Sequence, residues 1–166
     1  NYTADEIEKI LLMRIEESGA NITHEEADEV KEIAKTIADE YRGDVRIALR
    51  ATAHYLSGKD LEYAIIEAIK ETVEHTLFSM DDFDLLTLYS VLKEENTADA
   101  YRFLRKFYDR SKPTFFSALR YLQAAGLITI VRSASKKESF KILPSPEIAD
   151  ISIVADALRA RGIPVE

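Results

Sequence analysis

The stretch SKPTFFSALRYLQAAGLITIVRSASKKESFKIL, residues 111–143, changes its periodicity half-way, and that change decides the fold class. Ser111 is a residue type that caps helices, and Pro113 falls in the first turn, where its missing N–H costs nothing. Helical spacing then runs to Gly126, a helix stop. Beyond it, LITIV (127–131) and SFKIL (139–143) are two short strand-like runs joined by the polar tip RSASKKE. This pattern predicts a β-hairpin with a basic tip.

Working outward, Leu85, Leu86, Leu88, Tyr89 and Leu92 predict one helix upstream. Thr97 is expected to cap a second, with Tyr101, Leu104, Phe107 and Tyr108 turned inward. Three helices and a two-stranded hairpin, in that order, make a winged helix-turn-helix. Downstream, Ser145-Pro146 is expected to start a last helix, with Ile148, Ile151, Val154 and Leu158 along one side and Gly162 and Pro164 as its stop.

The first half reads as consecutive amphipathic helices. Thr3 with Glu6, and Thr23 with Glu26, have capping-box spacing. Ile7, Ile10, Leu11 and Ile15 form one apolar stripe, and Ala27, Val30, Ala34, Ile37, Ala38 and Tyr41 form another. Gly43 is placed to stop the second helix and Asp44 to cap the third, which runs to about Leu56. A fourth helix is predicted over residues 60–78. The expected fold is therefore mainly α, with a helical bundle over 1–78 and a winged-helix domain over 79–166.

Charge divides the same way. The 166 residues carry a net charge of −8, but residues 1–84 hold 21 acidic and 9 basic side chains, against 9 acidic and 13 basic in residues 85–166. From Asp99 to Lys141 the count is 10 basic to 3 acidic, which makes the second module the candidate for a polyanion. Duplex DNA would meet Lys112, Thr114, Ser117 and Arg120 on the third helix of that module and Arg132, Lys136 and Lys137 at the wing. Arg102, Arg105, Lys106 and Arg110 would flank them on the backbone. Of Phe115 and Phe116, one is expected in the core and the other exposed. The alternative is a protein-docking module whose charges only solvate the surface.

Enzyme motifs are absent from the sequence: no GxxxxGK[ST] phosphate loop, no HExxH, no GxSxG. His24, His54 and His75 lie far apart, so no metal site is expected, and the absence of cysteine excludes disulfides and thiolate chemistry. No apolar run approaches the length of a membrane span, so no membrane partner and a cytoplasmic location are expected. A chain opening on Asn1, with no initiator Met and no charged leader, reads as a fragment or a processed product.

At Gly43 the stretch GDVRIAL (43–49) resembles the sensor-2 motif of the Orc/Cdc (origin-recognition/cell-division-control) AAA+ replication initiators, in an archaeal-like form. NYTADEIEKILLMRIEE (1–17) is similar to the start of that family's helical lid. TADAYRFLRKFYDR (97–110) and FFSALRYLQAAGLI (115–128) resemble the second and third helices of its winged helix. The resemblance implies an AAA+ lid over 1–78, with the ATPase core preceding Asn1. Arg46, positioned by Gly43 and Asp44, would then be the residue that senses ATP or ADP. The spacing turns Arg46 away from a Val45/Ala48/Leu49 stripe, its guanidinium free for a bidentate phosphate contact. ATP or ADP with Mg is implied for the full-length parent, with no nucleotide held stably by this stretch alone. The implied partners are origin DNA, the replicative helicase and other initiator subunits, in a nucleoid-associated setting. The sequence departs from the family at residues 112–116, where arginines are usual. A dimeric winged-helix transcription regulator and a docking module of another AAA+ machine are the alternative readings.

Overall fold

The computed structural model describes residues 1–132 and 140–165. They are mainly helical, with one two-stranded antiparallel sheet, and divide into two compact units, one from Asn1 to Glu74 and one from His75 onward. The division falls inside a helix, about a turn before the boundary expected after residue 78.

The first unit contains α1 (Ala4–Glu17), α2 (His24–Glu40), α3 (Val45–Leu56) and the start of α4 (Leu61–Phe78). Both capping boxes form. The Thr3 N–H donates to the Glu6 carboxylate at 2.8 Å and the Thr23 N–H to the Glu26 carboxylate at 2.9 Å. Each threonine hydroxyl accepts the N–H of the glutamate in return, and such a cap contributes about 1 kcal/mol. The core gathers Ile7, Leu11 and Ile15 of α1, Val30, Ile33, Ala34 and Ile37 of α2, and Ile47, Ala48 and Ala51 of α3. Helix α3 thus departs from expectation: its buried row is Ile47, Ala48, Ala51 and Thr52, while Val45 and Leu49 are half-buried. It packs on both α1 and α2, so the inward direction is set by two neighbours and not by the first apolar residue after the cap.

The α2–α3 corner is tight. Arg42 and Gly43 both adopt left-handed backbone, at φ 58° and 66°. The Gly43 N–H donates to the Ile37 carbonyl at 2.9 Å, closing the end of α2, and the Asp44 N–H donates to the Tyr41 carbonyl at 3.2 Å. A Cβ at Gly43 would lie 2.1 Å from the Tyr2 carbonyl oxygen and 2.7 Å from the Tyr2 nitrogen. Glycine is required here twice, by its dihedral angle and by the backbone laid against it.

The second unit is built around α5 (Asp82–Glu94), whose residues 85–91 are all buried. Among these, Thr87 and Ser90 turn their hydroxyls back to carbonyls of their own helix, Phe83 and Thr87 respectively. Helices α6 (Thr97–Leu104), α7 (Lys112–Ala124) and α8 (Ile151–Ala160) pack on α5. Strand β1 (Ile128–Arg132) pairs antiparallel with β2 (Phe140–Pro144), with Ile130 opposite Ile142 and Arg132 opposite Phe140. The hairpin is fastened to the α5–α6 junction along Glu95, Asn96 and Thr97. The Ile142 N–H donates to the Glu95 carbonyl at 2.9 Å, Asn96 bridges Lys141, and the Phe140 N–H donates to the Thr97 hydroxyl at 2.9 Å.

That fastening explains a second departure. Asn96, not Thr97, caps α6 by accepting the Asp99 N–H, because the buried Thr97 hydroxyl is committed to the hairpin. Since α6 ends at Leu104, its buried residues are Thr97, Ala100 and Leu104. Tyr101 and Tyr108 are half-buried and Phe107 is 39% exposed. The last helix also begins later than expected. Pro146–Ile148 forms a single 3-10 turn, and Asp150 caps α8 through the Ser152 N–H. After α8, Arg161 donates to the Leu77 and Phe78 carbonyls, at 2.9 and 3.3 Å, and to the Asp82 carboxylate at 3.0 Å. The Leu77 carbonyl also accepts the Met80 N–H at 3.2 Å, so Arg161 adds to the closure of α4. Among the described residues no helix is long and apolar enough to cross a membrane.

Gly43→Ala tests the corner. It is expected to lower the unfolding free energy by about 1–3 kcal/mol, the range for a residue forced into strained backbone. Denaturant unfolding monitored by circular dichroism measures it.

Candidate functional site

Two places in the molecule gather the residues singled out above, and each lies within one unit. In the first unit, Asp44 caps α3 by accepting the Arg46 N–H at 3.0 Å. The same carboxylate also takes the Arg46 side chain, Nε at 3.1 Å and Nη2 at 2.8 Å. The guanidinium is therefore not free, as the spacing suggested, but held in a forked pair by its own capping residue. A side chain two positions after the cap folds back across the helix start, and an aspartate there is within its reach. Burial alone would push the Asp44 carboxyl up, but the hydrogen bonds and charge of Arg46, with the charge of Arg42, outweigh it and hold the group below its usual range. The Arg46 side chain stays 53% exposed against 18% for Asp44. The guanidinium side of the pair is open to solvent, while the carboxylate side is largely enclosed.

The neighbouring Arg50 has a different task, which the sequence reading missed. Its Nη1 donates to the Thr72 hydroxyl at 2.8 Å, and that hydroxyl donates to the Ala68 carbonyl at 2.7 Å. One turn later His54 meets the Glu71 carboxylate. Together these make a polar seam between α3 and α4. The i, i+4 spacing of Arg50 and His54 is the only trace of it in the sequence.

In the second unit, α7 buries Phe115, Ala118, Leu119 and Leu122. Lys112, Thr114, Ser117 and Arg120 are all exposed on its other side. Helix α7 contains no acidic residue, and the Arg120 guanidinium donates to the Ser117 hydroxyl at 3.1 Å. Thr114 belongs to the cap, its N–H donating to Ser111 and its hydroxyl 3.0 Å from the Ser111 hydroxyl. Arg132 is exposed at the end of β1. Lys136 and Lys137 lie outside the described residues.

The flank is more committed than expected. Arg102 pairs with Asp99 at 2.9 Å and Arg105 with Asp109 at 3.2 Å. Arg110 lies over the rings of Phe83 and Tyr108, and its carbonyl accepts the Tyr101 hydroxyl at 2.7 Å. Lys106 lies over the Phe103 ring. Phe115 is fully buried, whereas Phe116 is half-buried, edge-on to Phe115 and Phe140. Neither ring is displayed; Phe116 links α7 to β2.

No protein-family model matches the chain, and no curated protein matches it.

Asp84, in the first turn of α5, has its carboxyl raised to about 6 by burial and then by the charge and hydrogen bond of Asp81. A folded-state value above the ordinary 3.8 means that the protonated form favours the fold. This contribution is complete below the unfolded value and is lost as pH rises through the folded one. Asp84→Asn removes the charge and keeps a donor toward Asp81. It is expected to melt above the unmodified protein at pH 7.5, with the gap closing as pH falls from 6 towards 4 in thermal unfolding scans.

Proposed function

We propose that this chain is the lid and winged-helix part of an AAA+ replication initiator of the Orc/Cdc type. Its second unit grips duplex DNA, and Arg46 reads the nucleotide state of the parent ATPase. The observation that carries the DNA part is the acid-free outer face of α7, set directly before a hairpin that is fastened to the α5–α6 junction. Order, fastening and charge together are what a winged helix-turn-helix requires.

In this reading α7 enters the major groove. Arg120, Ser117 and Thr114 face base edges, while Lys112 and Arg132 meet phosphates. Arg102 and Arg105 exchange exposed carboxylate partners for phosphates, a trade favoured by the counterions that DNA releases. The stacked Arg110 is held in place by its two rings and adds a fixed charge beside them.

The nucleotide part rests on the sequence resemblance and on the Gly43–Asp44 mount. The close approach of Tyr2 fixes the corner, Asp44 starts α3, and Arg46 leaves that helix at its exposed edge. When the ATPase core of the parent presents ATP with Mg, Arg46 gives up Asp44 for the terminal phosphate. Lid position then follows nucleotide occupancy. The phosphate loop and the metal-binding acid belong to that core, so this portion has no catalytic role. Helicase loading and contacts with other initiator subunits follow as activities of the whole parent in a cytoplasmic, nucleoid-associated setting.

Fluorescence anisotropy with a labelled duplex tests the DNA part. Affinity is expected to fall steeply between about 50 and 200 mM salt. Lys112→Gln should weaken every sequence alike and lower the salt slope by about 1, while Arg120→Ala should weaken binding about tenfold or more and flatten sequence preference. No duplex binding at low salt, or a slope indifferent to Lys112→Gln, rejects it. For the nucleotide part, Arg46→Ala in the parent ATPase should abolish the difference in DNA affinity between ATP and ADP forms; an unchanged difference rejects the sensor role.

A further inference from the structure

A second surface of the same unit lies apart from the outer face of α7. Tyr101 turns toward α7, where its ring meets Phe115, but Phe103 turns toward α5 and lies against Tyr89, ring centres 5.9 Å apart. Two ammonium groups share the Phe103 ring, with Lys93 Nζ 4.6 Å and Lys106 Nζ 5.6 Å from its centre. They are therefore no further apart than about 10 Å, about one Debye length at 0.1 M salt. Both lysines are exposed, and among the described residues neither pairs with a carboxylate. The ring attracts each cation but does not cancel their mutual repulsion. An anion placed between them does.

Beside this pair stands a second ring. Phe107 packs on Phe103 at 5.4 Å, tilted by 48°, and is 39% exposed. Its backbone N–H donates to the Leu104 carbonyl at 3.0 Å and that of Lys106 to the Phe103 carbonyl at 3.1 Å, so both side chains leave a hydrogen-bonded turn. A partly open aromatic face next to two unneutralised ammonium groups is the arrangement that takes an unstacked base together with its phosphate.

The geometry points to a second nucleic-acid site, specific for single strands. Lys93 and Lys106 hold a backbone phosphate, and the adjoining base stacks on Phe107. A duplex does not fit this chemistry, since its base faces are already stacked on one another. An acidic peptide would satisfy the two ammonium groups but give no use to the ring. The site is independent of the duplex reading; Lys93 lies in the last turn of α5, and Lys106 and Phe107 lie in the turn that follows α6.

The test is anisotropy of the whole chain with a labelled oligothymidylate, set beside the labelled duplex. Phe107→Ala is expected to weaken the single strand about fivefold or more, the effect of losing one stacked base. Lys93→Gln, at an exposed position that leaves the fold intact, should weaken it as well and lower the salt slope by about 0.7. Duplex affinity should be unchanged in both variants. No binding of oligothymidylate, or binding by both variants as tight as that of the unmodified chain, overturns the site. So does a parallel loss of duplex affinity, which would mean one shared surface, or displacement by polyglutamate with Lys93→Gln impaired and Phe107→Ala normal. Oligothymidylate binding with the expected variant effects but no duplex binding supports this site and overturns the duplex reading alone.

Discussion

The second unit depends on one constraint: residues 85–91 of α5 have no solvent face. A helix with apolar and small polar side chains all round must be covered on every side, or it loses the burial that stabilises it. Helices α6, α7 and α8 supply that cover, and β2 reaches it as well. Their orientation follows. Helix α7 has to spend Phe115, Ala118, Leu119 and Leu122 on α5 and its surroundings, which leaves Lys112, Ser117 and Arg120 to the outside. The cationic face is thus a by-product of where the core is. Changing the exposed residues leaves the packing alone, whereas changing the packed ones would turn the face.

Burial around α5 also sets what the polar residues near it must do. Thr87 and Ser90 bond within their own helix, and Asp84, drawn partly out of water beside Asp81, is pushed towards neutrality. Arg161 works at the same end, where it gives three donors to the end of α4 and the start of α5. The acidic start of α5 is therefore tied at one carboxylate, Asp82, and held back from ionising at another, Asp84. Helix-dipole stabilisation of acids in a first turn operates here against burial, and at Asp84 burial wins.

Elements were more legible in the sequence than contacts. The capping boxes and the Gly126 stop stand where local chemistry places them, because each depends on residues within four positions of one another, and the two strands follow from their own alternation and the polar tip between them. Several misread places have partners distant in sequence. Thr97 is a capping residue type, but its hydroxyl accepts the Phe140 N–H, and Asn96, by type at least as good a cap, caps α6. Val45 and Leu49 have the spacing of a stripe, but α3 lies against two helices and turns Ile47 and Ala51 inward. Gly43 reads as a helix stop, which it is; that Tyr2 lies on it could not be read from the corner itself. The site residues divide differently, because the carboxylates concerned are near neighbours in sequence and what the sequence does not show is which local partner each arginine takes. Their exposure followed from helical periodicity, while the carboxylates that engage Arg46, Arg102 and Arg105 became visible only with coordinates.

The arginine pairings and the aromatic seats represent two ways of holding a cation on a surface. An exposed carboxylate fixes a guanidinium in position but neutralises it, so the field reaching a distant polyanion is reduced until the pair exchanges. An aromatic ring fixes the cation and leaves its charge intact. Arg102 and Arg105 are of the first kind, although Arg105 also approaches the Tyr101 ring; Lys93, Lys106 and Arg110 are of the second. The undiminished field of the second unit therefore includes the residues seated on rings, together with Arg120 on its serine and the exposed Lys112 and Arg132. In the proposed duplex reading, steering begins from those residues, and the paired arginines add their contacts once phosphates are close enough to replace Asp99 and Asp109.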